Sequence, residues 1–185
     1  MGLDIKIIEE AQRGKAYAQG KIYDLYSGAM LGICVRYLGN IADAEDVLQE
    51  GFIKVFRSLD KADFNTVSSF SAWIKRIMIN TALNHIRNQK KYSLEEWNDN
   101  YAHDIPEEAI VDEADSFTQE ELLEMIQQLP EGYRMVFNLY VFEKYSHQEI
   151  AEILGISQNT SKTQLFKARR YLQKKLFERI KINTH

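Results

Sequence analysis

Cysteine, proline and glycine are all scarce in this chain: one, two and nine of 185 residues, respectively. A single cysteine excludes an internal disulfide and any multi-cysteine zinc site. Cys34 stands among Ile33, Val35 and Tyr37, a setting that suits a small buried hydrophobe and a reducing, cytoplasmic environment. So few prolines and glycines argue against a turn-rich β fold and leave room for long helices. No run approaches the ~20 apolar residues that a membrane span requires. Met1 to Arg13 carries charges throughout and no apolar run, so neither a signal peptide nor membrane insertion is expected. The histidines, His85, His103, His147 and His185, lack metal-ligand spacing, and no glycine-rich phosphate loop is present. Neither a metal nor another cofactor is expected, and no catalytic constellation suggests an enzyme.

What is present is a composition of 45% hydrophobic and 27% charged residues, ordinary for a globular protein, in a length that suits one medium domain or two small ones. The net charge of −4 would count against nucleic-acid binding if it were spread evenly, but it is segregated. Ile74 to Lys91 holds five basic residues and no acidic one. Tyr92 to Phe117 holds nine acidic residues and no Lys or Arg, and Ser157 to His185 holds eight basic residues against Glu178 alone. Two basic blocks separated by an acidic one point to two DNA-facing surfaces and a connector that does not face DNA.

The apolar periodicity is helical from about Lys15 to Lys91. Ile22, Leu25, Ala29 and Ile33 give one stripe. Leu48, Phe52, Val55, Phe56 and Leu59 give a strongly amphipathic helix, for which Asp43 is the candidate N-cap. Asp60 to Ser69 lacks the period and reads as a loop. A third helix follows over about Ser69 to Asn88, with Phe70, Ile74, Ile77, Met78, Thr81 and Ala82 on one face. Tyr92 to Phe117, with Pro106 and the aromatic residues Tyr92, Trp97 and Tyr101, reads as an acidic linker. Thr118 to Lys181 is helical again, with Pro130 and Gly132 separating its first two helices. The expected fold is therefore all-α: two small helical domains, 1–91 and 118–185, joined by an acidic linker, 92–117.

Ser146 to Leu176 carries the sharpest motif. Ser146-His147-Gln148-Glu149 fits a capping box, with His147 expected to be exposed. Ile150, Ala151 and Leu154 point inward. Gly155 falls four residues after Ala151, where the tight turn of a helix-turn-helix needs positive φ, and Ser157 can cap the second helix. That helix has Leu165, Ala168, Leu172 and Leu176 on one face. Gln158, Asn159, Lys162, Thr163, Gln164, Lys167 and Arg170 are donors and acceptors of the kind that reach base edges and phosphates in a major groove. Gln and Lys content alone would equally describe a solvated helix in a plain bundle. The cap, the spacing and the basic charge favour DNA binding.

With these residues in hand, the chain resembles an extracytoplasmic-function (ECF) sigma factor of bacterial RNA polymerase over about Lys15 to Leu176. The matching residues in the first domain are Asp43-Ala44-Glu45-Asp46-Val47-Leu48-Gln49-Glu50, Phe52, Trp73-Ile74, Asn80 and Arg87. In the second they are Leu129-Pro130, Tyr133-Arg134, Val136-Phe137, Glu149-Ile150-Ala151, Leu154-Gly155-Ile156-Ser157, Thr160 and Lys167-Ala168-Arg169. The resemblance implies a subunit that directs core polymerase to promoters and helps open them. Asp43, Asp46, Gln49 and Glu50 would meet the clamp helices of the largest subunit, unless that acidic turn serves only the helix dipole. Arg76, Asn80 and Arg87 would meet the −10 element. Phe64 could stack on an everted base and Asn65 bond to it, or Phe64 could plug the core. Trp73 is read as structural, the alternative being that it lies against DNA.

The second domain would contact the flap of the second-largest subunit and read the −35 element as duplex. The candidate residues are Gln158, Asn159, Thr160, Lys162, Thr163, Phe166, Lys167 and Arg170. Phe166 could touch a thymine methyl or pack at the helix edge, and Arg169 and Arg170 could clamp phosphates. An anti-sigma factor is an expected partner, and the acidic linker is expected to help keep the free chain off DNA. The chain departs from the family pattern at Asn159, where Gly is frequent, and at Ser161, where an apolar β-branched residue is usual. Ser161 should face the other helix of the motif, either losing packing or bonding back to the backbone. The alternatives are a stand-alone helix-turn-helix regulator, which leaves the first domain unexplained, and a pure protein-interaction module.

Overall fold

The computed structural model describes residues 3–90 and 117–183. The stretch read as a linker, apart from Phe117, lies outside the described residues, as do His103 and His185. All regular structure among the described residues is helical. The chain divides into two compact units, Met1–Leu94 and Glu95–His185.

The first unit is built from α1 (Ile5–Gln12), α2 (Ala16–Leu38), α3 (Ile41–Ser58) and α4 (Val67–Lys90), with a single 3-10 turn, Leu59–Lys61, after α3. Sequence periodicity passed over α1, which is short and charged. It nonetheless buries Ile8 and Ala11, and Gln12 Nε2 donates to Leu59 O at 3.3 Å and Ala62 O at 2.6 Å. That clamp fixes the loop leading into α4. The expected stripe on α2 is corrected: Leu25 is 44% exposed and Ala29 is exposed, while the core face runs Ala18, Ile22, Met30, Cys34, Tyr37 and Leu38. The helix is apolar around much of its circumference, so periodicity alone could not choose a side. Burial pushes the Cys34 thiol up to about 12.

Gly39 ends α2 in the left-handed region, with φ of 79°. The N-cap of α3 is Asn40, not Asp43: Asn40 Oδ1 accepts the Asp43 backbone N–H at 2.8 Å. Asn40 is the first residue after the glycine that can place its side-chain oxygen over the open amides, so Asp43 falls inside the first turn. The remaining face of α3 follows expectation, with Leu48, Phe52, Val55 and Leu59 buried. Helix α4 begins at Val67, two residues earlier than the periodicity suggested, because Thr66 Oγ1 accepts from Ser69 N at 3.1 Å. Phe70, Ile74, Met78, Thr81 and Ala82 pack inward from it.

The second unit holds α5 (Gln119–Gln127), α6 (Glu131–Phe137), a π-helical turn (Asn138–Phe142), α7 (His147–Leu154) and α8 (Gln158–Asn183). Thr118 and Glu121 form a capping box on α5. Arg134 Nη1 donates to Gln127 O at 2.6 Å and Leu129 O at 3.2 Å, closing the end of α5 before Pro130. Ile126, Leu129, Tyr133 and Ala168 form a buried cluster, with Phe137, Tyr171 and Leu172 packed against it. Further along α8, Arg179 Nη2 lies 3.1 Å from Glu121 Oε1, tying the helix to α5.

Candidate nucleic-acid interface

The helix-turn-helix forms as the sequence dictates. Ser146 caps α7, accepting from Glu149 N, while Glu149 Oε2 accepts from Ser146 N at 2.8 Å. The carboxyl of Glu149 is consequently held below its usual range, first by the Ser146 side chain and then by its backbone. Gly155 turns the chain at φ of 68°, its N–H bonding to Ala151 O. Ser157 Oγ then accepts from Thr160 N at 2.9 Å and caps α8.

Helix α8 divides into two faces. Ser161, Gln164, Leu165 and Ala168 are buried. Gln158, Asn159, Lys162, Thr163 and Phe166 are exposed on the other side, and Thr160, Lys167 and Arg170 are half-buried between them. Phe166 is 59% exposed, and the Arg170 guanidinium lies 5.6 Å from its ring centroid. The phenyl ring therefore stands out from the helix with a cation on it rather than packing into the core. The predicted base-reading residues that are exposed thus share one surface.

Ser161 faces the partner helix and is wholly buried, but it bonds neither to backbone as proposed nor to nothing: its Oγ lies 2.9 Å from His147 Nδ1. His147 is half-buried rather than exposed, because that bond and a stack on Tyr140, 4.7 Å between ring centroids at 25°, hold it inward. Burial first, then the positive charges of Lys162 and Arg169, push its imidazole below the ordinary histidine range. Neither residue in this pair is legible as a partner of the other from local sequence.

In the first unit, Arg76, Asn80 and Arg87 are all exposed on α4, and Arg87 Nη1 donates to Asn84 Oδ1 at 3.2 Å. Asn65 is exposed in the preceding loop. Phe64 is half-buried, set edge-on to Phe70 at 5.1 Å and to Trp73 at 5.1 Å. Trp73 itself stacks on Phe70 at 6.1 Å, which fits its structural reading.

The acidic start of α3 splits into engaged and exposed groups. Asp43 Oδ2 accepts from Asn40 Nδ2 at 2.8 Å and from Gln89 Nε2 at 3.4 Å, and His85 Nε2 lies 3.9 Å from Oδ1. The Asn40 bond, partly offset by desolvation, keeps the Asp43 carboxyl below its usual range. Asp43 therefore ties α3 to the end of α4. Asp46, Gln49 and Glu50 are exposed, with Glu50 Oε1 2.6 Å from Lys54 Nζ.

The first unit exposes Asp46 and Glu50 on α3 and Arg76 and Arg87 on α4, and the second holds a helix-turn-helix, the combination that the sequence resemblance leads one to expect of a sigma-type subunit. Residues 22–92 match the family described as Sigma-70 region 2, and residues 119–172 match Sigma-70, region 4. The region 2 match is what a stand-alone helix-turn-helix regulator would lack. Over 184 residues the chain is 34% identical to the ECF RNA polymerase sigma factor SigW of Bacillus subtilis, spanning 92% of this chain and 95% of that one. It is 33% identical over 186 residues to the RNA polymerase sigma-H factor of Pseudomonas aeruginosa, spanning 94% and 93%. Among solved structures, the sigma factor RpoE of Bartonella quintana, in complex with the anti-sigma factor NepR, shares the fold: TM-score 0.51 at 19% identity, covering 85% of this chain and 95% of that one. The chain belongs to the ECF sigma factors, and its function is that of a sigma factor directing RNA polymerase in transcription initiation. No helix among the described residues is long and apolar enough to cross a membrane.

Proposed function

We propose that the two units divide promoter recognition between them. The first, residues 1–91, docks on the clamp helices of the largest polymerase subunit through Asp46, Gln49 and Glu50. It meets the −10 element with Arg76, Asn80 and Arg87 and assists strand opening. The second, residues 118–185, reads −35 duplex with Gln158, Asn159, Thr160, Lys162, Thr163 and Phe166, holds phosphates with Lys167 and Arg170, and contacts the flap of the second-largest subunit. The observation that carries this reading is the division of the first turns of α8, where Leu165 and Ala168 are buried while Gln158, Asn159, Lys162, Thr163 and Phe166 are presented together.

Asp43 is the exception among the acidic residues, since its engaged carboxylate supports a positioning role in the docking helix. Phe64 is held among aromatic rings in the free chain, so Asn65 is the better candidate for an everted base. By extension from RpoE, solved with its anti-sigma factor, an anti-sigma factor is the expected inhibitor here. The chain works in the cytoplasm, where its polymerase partner resides.

The test is transcription in vitro with purified core enzyme and genomic DNA, followed by start-site mapping. Discrete start sites that require the chain, and that are lost with the combined Lys162→Ala and Thr163→Ala changes, are expected. Absence of any chain-dependent start site would overturn the reading.

A further inference from the structure

One side-chain cluster of the second unit, around His147, borders the base-reading face and shares Lys162 with it. His147, first residue of α7, stacks on Tyr140 of the π-helical turn, and the Arg169 guanidinium from α8 lies 5.8 Å from the centroid of the same Tyr140 ring. The buried hydroxyl of Ser161 holds His147 Nδ1 at 2.9 Å. The imidazole is thus fixed by its face and by one nitrogen, an orientation more definite than packing alone requires. The groups that face it are Tyr140 from the π-helical turn and Ser161, Lys162 and Arg169 from α8. Glu149, the nearest acid on its own helix, turns its carboxylate back to Ser146 N and Oγ. No carboxylate is ion-paired with His147, Lys162 or Arg169 among the described residues.

His147 and the permanent cation of Arg169 both lie against the Tyr140 ring, and Lys162 follows Ser161, the hydrogen-bond partner of His147, on α8. Burial first, and then the positive charges of Lys162 and Arg169, hold the imidazole below its ordinary range, and an anion entering beside them would offset the charge effect. Placement at the start of the helix-turn-helix, next to exposed Lys162, points to an anion of the DNA duplex itself. We infer that His147, Lys162 and Arg169 form a clamp for one backbone phosphate, and that His147 takes a proton from solvent as DNA binds. This rests on the reading that the second unit binds −35 duplex. The sign follows directly. The proton is bound more tightly in the complex than in the free chain, so affinity rises as pH falls through the interval between the two titration points.

The experiment measures the affinity of holoenzyme, core polymerase plus the full chain, for a mapped promoter duplex from pH 8 to pH 5.5 at fixed salt. A competitor with a scrambled −35 element runs alongside. His147→Gln is expected to equal the wild type at pH 8 and to bind several-fold more weakly at pH 5.5, approaching about tenfold if the phosphate raises the imidazole by about one unit. His147→Lys, carrying a permanent charge, is expected to bind more tightly than His147→Gln at both ends. An imidazole proton NMR titration of the full chain, with and without the duplex, reads the same event directly and is independent of variant stability. Parallel pH curves for wild type and His147→Gln, or a His147 titration unmoved by duplex, overturns the clamp while leaving −35 discrimination intact. Loss of discrimination between intact and scrambled −35 in the wild type sinks the parent reading, and the clamp with it.

Discussion

Gly51 sets the approach of α3 to α4 by lacking one carbon. A Cβ there would stand 2.3 Å from Met78 Sδ and 2.9 Å from Met78 Cε, and Met78 is wholly buried. Helix propensity alone favours Ala over Gly by about 1 kcal/mol. Overpacking a filled core costs about 1–3 kcal/mol, because the thioether must leave its place among packed neighbours. The packing cost exceeds the propensity gain, so Gly51→Ala is expected to lower stability by about 1 kcal/mol, seen as a lower urea midpoint of the full chain. In a Met78→Val background, where the clashing sulfur is gone, the same change should turn stabilising. A raised midpoint for Gly51→Ala in the wild-type background would refute the account. Asp43 makes a parallel point: an acidic residue that pattern assigns to a partner is engaged by Asn40 and Gln89 within its own unit.

At the scale of the element, polar termini are more informative than apolar stripes. Ser146 and Thr118 each cap a helix reciprocally with a Glu three residues on, and both boxes lie in the second unit. Replacing such a cap by Ala costs about 1 kcal/mol. Ser146→Ala is therefore expected to lower the melting temperature of the second unit and to weaken −35 binding, while leaving unfolding of the first unit unchanged. The acid side of the profile follows from Glu149, whose folded-state carboxyl is depressed. Its contribution is complete above the unfolded value and is lost as pH falls through the folded one, so the wild type should lose stability below about pH 4. Ser146→Ala should lose less over that interval. An equal acid loss in both proteins, by thermal unfolding, would contradict the box. The same contrast explains what the sequence made legible. Ser146, Glu149, Gly155 and Ser157 declare their roles through local bonds within four residues, and the amphipathic face of α3 shows in its period. Helix α1 is too short for a period, α2 is apolar on too many sides, and the His147–Ser161 bond joins residues from different helices. Only tertiary packing settles those three.

Across the whole molecule, the segregation of charge matters more than its sum. The blocks flanking the acidic stretch place exposed Arg76 and Arg87 in one unit and Lys162 and Arg169 in the other, so a chain of net charge −4 presents cations on each. The charge blocks make DNA the expected anion for both faces, and only the family resemblance distinguishes a −10 from a −35 ligand. The two units should respond differently to salt. Each phosphate neutralised on duplex contributes about 0.9 to the slope of log affinity against log salt concentration, and each on a single strand about 0.7. If Arg76 and Arg87 hold strands that are opened at the −10 element, the combined Arg76→Ala and Arg87→Ala change should reduce the holoenzyme's slope by about 1.4. On a probe ending upstream of the −10 element the same double change should leave the slope untouched, because nothing remains for those side chains to neutralise. Equal slopes for wild type and double variant on the full promoter would mean that this stripe of α4 faces something other than phosphate.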